Sequence, residues 1–284
     1  MGPPTPPPNQ LAAYGAGEWV RYSFELKLSR ALEHLHAAEA RIEDFLELDP
    51  GTPVLEQGGP KGEMAFWYRA FVQPDPEIVV RVCDCIHNLR QALDHLAYRL
   101  AVVVGGEPPL NEATTGFPIY DKPLTDDHLR TKIGDPQKIP AVMRTALDRA
   151  QPYNGGNAEL LAVLHELDNL DKHRFPPLVT VGAVVSEVDI AELHAEWIAG
   201  PAEGPVEDGA EIMRWLPKSG THNMNMKFRC TNHVAFGKTT PAVQGREPQV
   251  FLAEVRDHIR NTVVPSFASF LWPPAPGHSA VILP

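Results

Sequence analysis

Leu28, Ala31, Leu35, Ala38, Ile42 and Phe45 recur every three or four positions, the spacing of one helix face. They predict a long amphipathic helix from Trp19 to Leu48. Residues 49–63, DPGTPVLEQGGPKGE, break it with Pro and Gly. Ala65–Val72 is short and aromatic and reads as strand or extended chain. A second seam of Val79, Val82, Ile86, Leu89, Leu93, Leu96 and Leu100 predicts a helix from Glu77 to Val104, ended by Gly105-Gly106. FPIYD at 117–121 reads as a loop. A short helix is expected from Pro140, suited to a first-turn position, to Ala150. Asn157 is a candidate cap for a helix through Lys172, with Leu160, Val163, Leu164, Leu167 and Leu170 as its seam.

After RFPP the period changes to two. Strands are expected over 178–185, 191–197, 211–216 and 224–236, a meander with one solvated face and Met226, Phe228 and Trp197 turned to the helices. A last helix, 248–271, places Val255, Ile259, Val263 and Phe267 inward and is kinked at Pro265. The pattern amounts to one α+β domain over 17–272: a helical bundle at 17–175, a small antiparallel sheet subdomain at 176–238, and a C-terminal helix returning to the bundle. Residues 1–16 and 273–284 read as Pro-rich or loose tails.

Composition narrows the class. The chain has 284 residues, 43% hydrophobic and 21% charged, a globular balance. No run approaches the roughly 18–20 apolar residues of a membrane span. The first residues lack a basic segment followed by an apolar one, so a cytoplasmic protein without a membrane association is expected. Three cysteines do not make a disulfide framework. Cys83 and Cys85, two apart on a helix, point away from each other and read as core fillers. The net charge of −11 argues against a broad, sequence-independent nucleic-acid surface but leaves room for a local basic site.

The informative stretch is IHNLRQALDHL, 86–96. At about 100° per residue, Asp84, His87, Asn88, Gln91, Asp94, His95 and Tyr98 form one polar stripe opposite the apolar seam, with Arg90 to one side. A merely solvated face, with an Arg90–Asp94 ion pair, is the plainest reading. Yet the stripe lacks Lys and Glu, the usual residues of such a face, and carries directional hydrogen-bonding groups. That suits a pocket or an interface. A second polar stretch, HELDNLDKHR at 165–174, ends in Asp171, Lys172, His173 and Arg174, cations well placed at a helix C-terminus. Glu33 with His36, and Asp84 with His87, have the carboxylate–histidine spacing of di-metal bundles. Glu33 lies on the polar side of its helix, and no metal site or cofactor is expected. Phosphate loops, nucleophile elbows and zinc-type cysteine pairs are absent from the sequence.

Arg90-Gln-Ala-Leu-Asp-His95 is an arginine, four residues and a histidine on an amphipathic helix. It resembles the signature of the HEPN superfamily, helical-bundle proteins of prokaryotic defence and toxin–antitoxin systems. The resemblance covers the second helix. It implies a metal-independent endoribonuclease, a toxin or phage-defence effector, with Arg90, His95 and the following polar residue Gln91 as catalytic residues. It further implies a homodimer that completes the site, RNA as substrate and a possible antitoxin protein as partner. His87, Asn88, Asp94 and Tyr98 would line the site, and Lys172, His173 and Arg174, beside Asp171, would add phosphate contacts if the two helices pack together. The chemistry is coherent: cleavage through the 2′-OH needs a base near neutral pKa and a multi-donor cation for the phosphorane. Two departures stand out. About two-thirds of the chain follows the motif, and Arg90 and His95 lie about 140° apart around one helix. The alternative is a non-catalytic helical protein whose stripe 84–98 is a dimer or partner interface.

Overall fold

The computed structural model describes residues 16–57, 59, 62–174, 178–182, 195–199, 206–217, 231–238 and 240–271. Helix α1, Ala16–Leu46, ends where Asp49 adopts a positive φ of 49° and turns the chain into a hairpin of β1, Gly51–Gln57, and β2, Met64–Ala70. Helix α2 follows, Pro76–Gly105. The Asp75 side chain accepts the Glu77 N–H at 2.9 Å, capping its start. Gly106, at φ 90°, ends it, a conformation that glycine adopts without penalty. Then come α3, Asp126–Lys132, α4, Ala141–Arg149, and α5, Glu159–His173. The strands are β3, Leu178–Gly182, β4, Ala195–Ala199, β5, Val206–Glu207, β6, Glu211–Pro217, and β7, Asn232–Phe236. Helix α6, Pro248–His258, continues through a π segment, Ile259–Val263, and a 3-10 segment, Val264–Phe267, into α7, Ala268–Leu271.

The fold is α+β and mainly helical, with small antiparallel sheets. It divides into two units, to both of which α1 and α2 contribute. The helical unit comprises the described residues of 16–34, 84–172 and 252–271; the sheet-bearing unit comprises those of 35–83 and 173–251. The last helical stretch, from Leu252, thus joins the helical unit, as its apolar spacing requires: Val255, Ile259, Val263 and Phe267 are all buried. Pro265 lacks an N–H and its ring crowds the preceding turn, so the ladder widens to π before it and tightens to 3-10 around it.

In the sheet-bearing unit, all strand pairs are antiparallel, but they form two sheets rather than one meander: β1-β2-β6-β4 and β5-β3-β7. The sequence reading placed a break where β1 lies. Pro53 explains both the reading and the outcome. Proline is excluded from central strands, whereas β1 is an edge strand, where a missing N–H is tolerated. Tyr68, Val206 and Ile212 form a buried cluster here, and the Phe66 and Trp215 rings meet at 5.6 Å. Met226, Phe228 and residues 224–230 as a whole lie outside the described residues, as do the side chain of Trp197 and both tails.

Smaller departures have local causes. The α2 seam begins with Ile78, which is fully buried, and Val79 is only half-buried; in the same way Leu161 rather than Leu160 opens the α5 seam. Helix α3 had no apolar period to announce it. It is made by a capping box, in which Thr125 accepts the His128 N–H and the His128 ring accepts the Thr125 N–H. Pro140 stands at the N-cap of α4 rather than inside its first turn. Asn157 sits within a 3-10 turn, Gly156–Ala158, that precedes α5.

Candidate functional site

Within the helical unit the polar stripe of α2 is not a solvated face. Asp84, His87, Asn88, Gln91, Asp94, His95 and Tyr98 are each half-buried, and most meet a partner from another element. Asp84 lies 3.4 Å from the buried His34 of α1. The Tyr98 hydroxyl donates to Glu112 at 3.5 Å. Asn88 instead donates back to the Asp84 carbonyl of its own helix, at 2.8 Å.

Arg90 is only 8% exposed. Its Nη1 stands 2.9 Å from Asp94 Oδ1, one helical turn on, and its Nη2 donates to the Phe117 carbonyl at 3.2 Å. Nη1 faces the carboxylate without the alignment of a hydrogen bond and is otherwise enclosed. Asp94 in turn accepts the Phe117 N–H at 2.9 Å. The pair therefore holds both backbone groups of Phe117, and a Cβ on Gly116 would stand 3.0 Å from Asp94 Oδ1. Gln151, fully buried, secures the rest of this loop: it donates to the Pro118 and Leu147 carbonyls at 2.9 and 2.8 Å and accepts the Tyr120 N–H at 3.1 Å. FPIYD is thus a loop as expected, but a rigidly anchored one.

On the neighbouring turn a hydrogen-bonded row joins α2 to α5. His87 Nδ1 is 3.0 Å from Asp168 Oδ1, Gln91 Nε2 is 2.6 Å from His87 Nε2, and Lys172 Nζ is 2.6 Å from Asp168 Oδ2. The Asp168 carboxylate is 1% exposed, whereas the His87 and Lys172 side chains are 43% and 50% exposed. A buried carboxylate is tolerated when paired on both oxygens, which is what His87 and Lys172 supply. With Nδ1–H directed to the carboxylate and Nε2 accepting from the Gln91 amide, both His87 ring nitrogens are satisfied.

Two further histidines flank Arg90 and Asp94 electrostatically. Burial lowers the pKa of His95; the Lys27 ammonium lowers it further, and Asp94 opposes this. Burial likewise lowers the pKa of His165, with the Arg90 guanidinium next, then Asp168 opposing, Lys172 lowering and Asp94 opposing. His165 Nε2 lies 3.2 Å from the Asn169 amide nitrogen, while its Nδ1 is enclosed without a hydrogen-bond partner among the described residues.

Of the residues singled out from sequence, the structure gathers His87, Gln91 and Lys172 in one row and Arg90 with Asp94 in another. Arg90 pairs with Asp94, whose charge also acts on His95. Asp171 is half-buried, and His173 and Arg174 are exposed at the end of α5. Asp168 and His165 were missed. The signal for Asp168 was present: with Leu161 and Leu164 it stands at the i, i+3, i+7 spacing of the buried face, a carboxylate in a core position one turn before a lysine. Asp84 turns to His34, His87 to Asp168 and Glu33 to Arg30; no group of three or more His, Cys, Asp or Glu that could hold a metal occurs among the described residues. No described helix is long and apolar enough to cross a membrane. Comparison with family models, with curated proteins and with solved structures gives no match to this chain.

Proposed function

We propose that the helical unit is a metal-independent endoribonuclease of HEPN type, acting in the cytoplasm. The observation that carries this reading is the gathering, in one helical unit, of the buried Arg90–Asp94 pair and the His87–Asp168–Lys172 row, with the pKa of His95 and His165 lowered by burial. Imidazoles that are neutral at pH 7 can pass a proton on to a leaving oxygen, while the proton of the ribose 2′-OH goes to a base of the same unit. A guanidinium next to them favours the negative phosphorane. In this reading Arg90 acts through its field and through the loop it holds, since its donors already serve Phe117 and Asp94. Lys172, half-exposed, is the cation that meets a phosphate directly. Gln91 serves the row at His87. RNA is the substrate, a homodimer the working form and an antitoxin-type protein the natural restraint.

A second reading has its own support. Every stripe residue is half-buried, and Asp84, His87, Asp94 and Tyr98 are engaged by other elements of the same chain. A stripe that only seats α2 among its neighbours, or extends to a partner protein, would have this form. The deciding experiment is incubation of pure protein with single-stranded RNA in the presence of a chelator. Cleavage lost in His95→Ala or His165→Ala, with unchanged melting, supports the nuclease. Absence of cleavage by the wild-type dimer rejects it and favours the seam.

A further inference from the structure

We infer that the row Lys172–Asp168–His87–Gln91 is an acid–base relay, with His87 as the group that accepts the 2′-OH proton and Asp168 as its positioning residue; this rests on the nuclease reading above. The Arg90–His95 motif does not name this pair. Four features lead to it. Within the row Asp168 is buried, at 1% exposure, whereas the His87 side chain beside it and Lys172 at one end reach solvent, at 43% and 50%. Its three links are 2.6, 3.0 and 2.6 Å, each within hydrogen-bond distance. Each helix supplies its two members one turn apart, so the row is preorganised by backbone geometry. The carboxylate sits on Nδ1, which holds the tautomer with its lone pair at Nε2 and stabilises the imidazolium formed when Nε2 takes a proton.

A seam built only for stability would have no need of an imidazole there. An asparagine or glutamine could bridge a carboxylate and an amide without a titrating group. The Gln91 amide caps Nε2, and because Gln91 is only half-buried it can rotate away to admit a hydroxyl. The step then balances without a co-reactant. His87 Nε2 takes the 2′-OH proton and the oxygen bonds to the adjacent phosphorus. The bond from phosphorus to the 5′ oxygen breaks, that oxygen takes a proton from a neutral imidazole, His95 or His165, which recovers one from water, and the His87 imidazolium returns its own to solvent. Products are a 2′,3′-cyclic phosphate and a 5′-hydroxyl. Lys172 spends one N–H on Asp168 and has two more for the phosphate oxygens.

The test uses the full-length protein, single-stranded RNA and a chelator, with ¹⁵N-histidine spectra alongside. The expected spectrum has the His87 ring proton on Nδ1 rather than Nε2, and Asp168→Asn shifts that tautomer population. In cleavage, His87→Ala falls by about 10²–10⁴-fold, and added imidazole restores part of the rate. Asp168→Asn lowers kcat with little change in KM. Since Asp168→Asn perturbs a buried site, Lys172→Met provides a second variant, expected to raise KM while leaving the His87 tautomer in place. An active wild type with His87→Ala at full rate, or a His87 protonated on Nε2, overturns the relay and leaves the nuclease reading standing. No cleavage by the wild type overturns both.

Discussion

Asp94 accepts the backbone N–H of Phe117 at 2.9 Å, and its ion-pair partner Arg90 donates to the Phe117 carbonyl at 3.2 Å. The two most conspicuous charges of the polar stripe therefore read the main chain of a loop as a neighbouring strand would. Asp94→Ala is expected to cost more than Arg90→Met. It leaves a buried guanidinium without its counter-charge and an N–H without an acceptor, together on the order of 2–4 kcal/mol. Arg90→Met removes charge and donor together and keeps the apolar stem, for about 1–2 kcal/mol. Urea denaturation of both variants ranks them; the reverse order would show that the pair is not what secures the loop.

Gln151 should be the most sensitive polar position of the helical unit. Its side chain satisfies Pro118 O, Leu147 O and the Tyr120 N–H while fully buried. Gln151→Ala leaves three backbone groups unpaired and is expected to lose at least about 2 kcal/mol. Gln151→Glu should be no milder, because a carboxylate cannot donate to the two carbonyls. Hydrogen exchange at Tyr120 N–H, protected in the wild type and fast in Gln151→Ala, locates the effect.

In the sheet-bearing unit the tight point is Gly51. A Cβ there would stand 2.1 Å from the Tyr68 hydroxyl oxygen. That hydroxyl donates to Asn232 at 2.5 Å, and Asn232 donates back to the Gly51 carbonyl at 2.9 Å. Gly51→Ala is expected to destabilise by about 1–3 kcal/mol through overpacking. Gly62→Ala, at φ 79° with open space around it, should cost only about 1 kcal/mol of backbone strain. Thermal melts showing Gly51→Ala as the milder of the two would contradict the close approach.

Acidification should weaken the fold through its histidines. Burial lowers the pKa of His95, His165, His233 and His258. Below the unfolded value of about 6.5 the unfolded chain binds protons that the folded chain refuses, so stability is full above that pH and declines as pH falls through it. His258 is the sharpest case: among the described residues both ring nitrogens are enclosed without hydrogen-bond partners, and burial alone accounts for its shift. His258→Leu is expected to raise stability by about 1 kcal/mol at pH 7.5 and by more at pH 5.5. Glu25, whose carboxyl is pushed up by burial, works in the opposite direction in both chains and leaves that difference intact. Equal gains at the two pH values would refute the assignment to His258.

Local spacing determined most of the helical frame. The heptad-like run from Val82 to Leu100 and the caps around it gave α2 nearly to the residue, because a helix is closed by bonds within its own segment and its apolar face is written at a period of 3.6. The unusual make-up of the stripe 84–98 was legible for the same reason. What the stripe faces was not. Spacing along α2 put Arg90 next to Asp94, yet only the folded chain brought in Phe117, twenty-seven residues away from the arginine, to occupy its donors. The same holds for Asp168 beside His87, eighty-one positions apart. Strands showed the limit most clearly: β1 has its Pro53 excused by an edge position that exists only once β2 and β6 have paired. Hydrogen bonds between distant segments depend on which surfaces meet, and that is settled by packing the apolar faces against one another, a property of the assembled core rather than of any window of sequence.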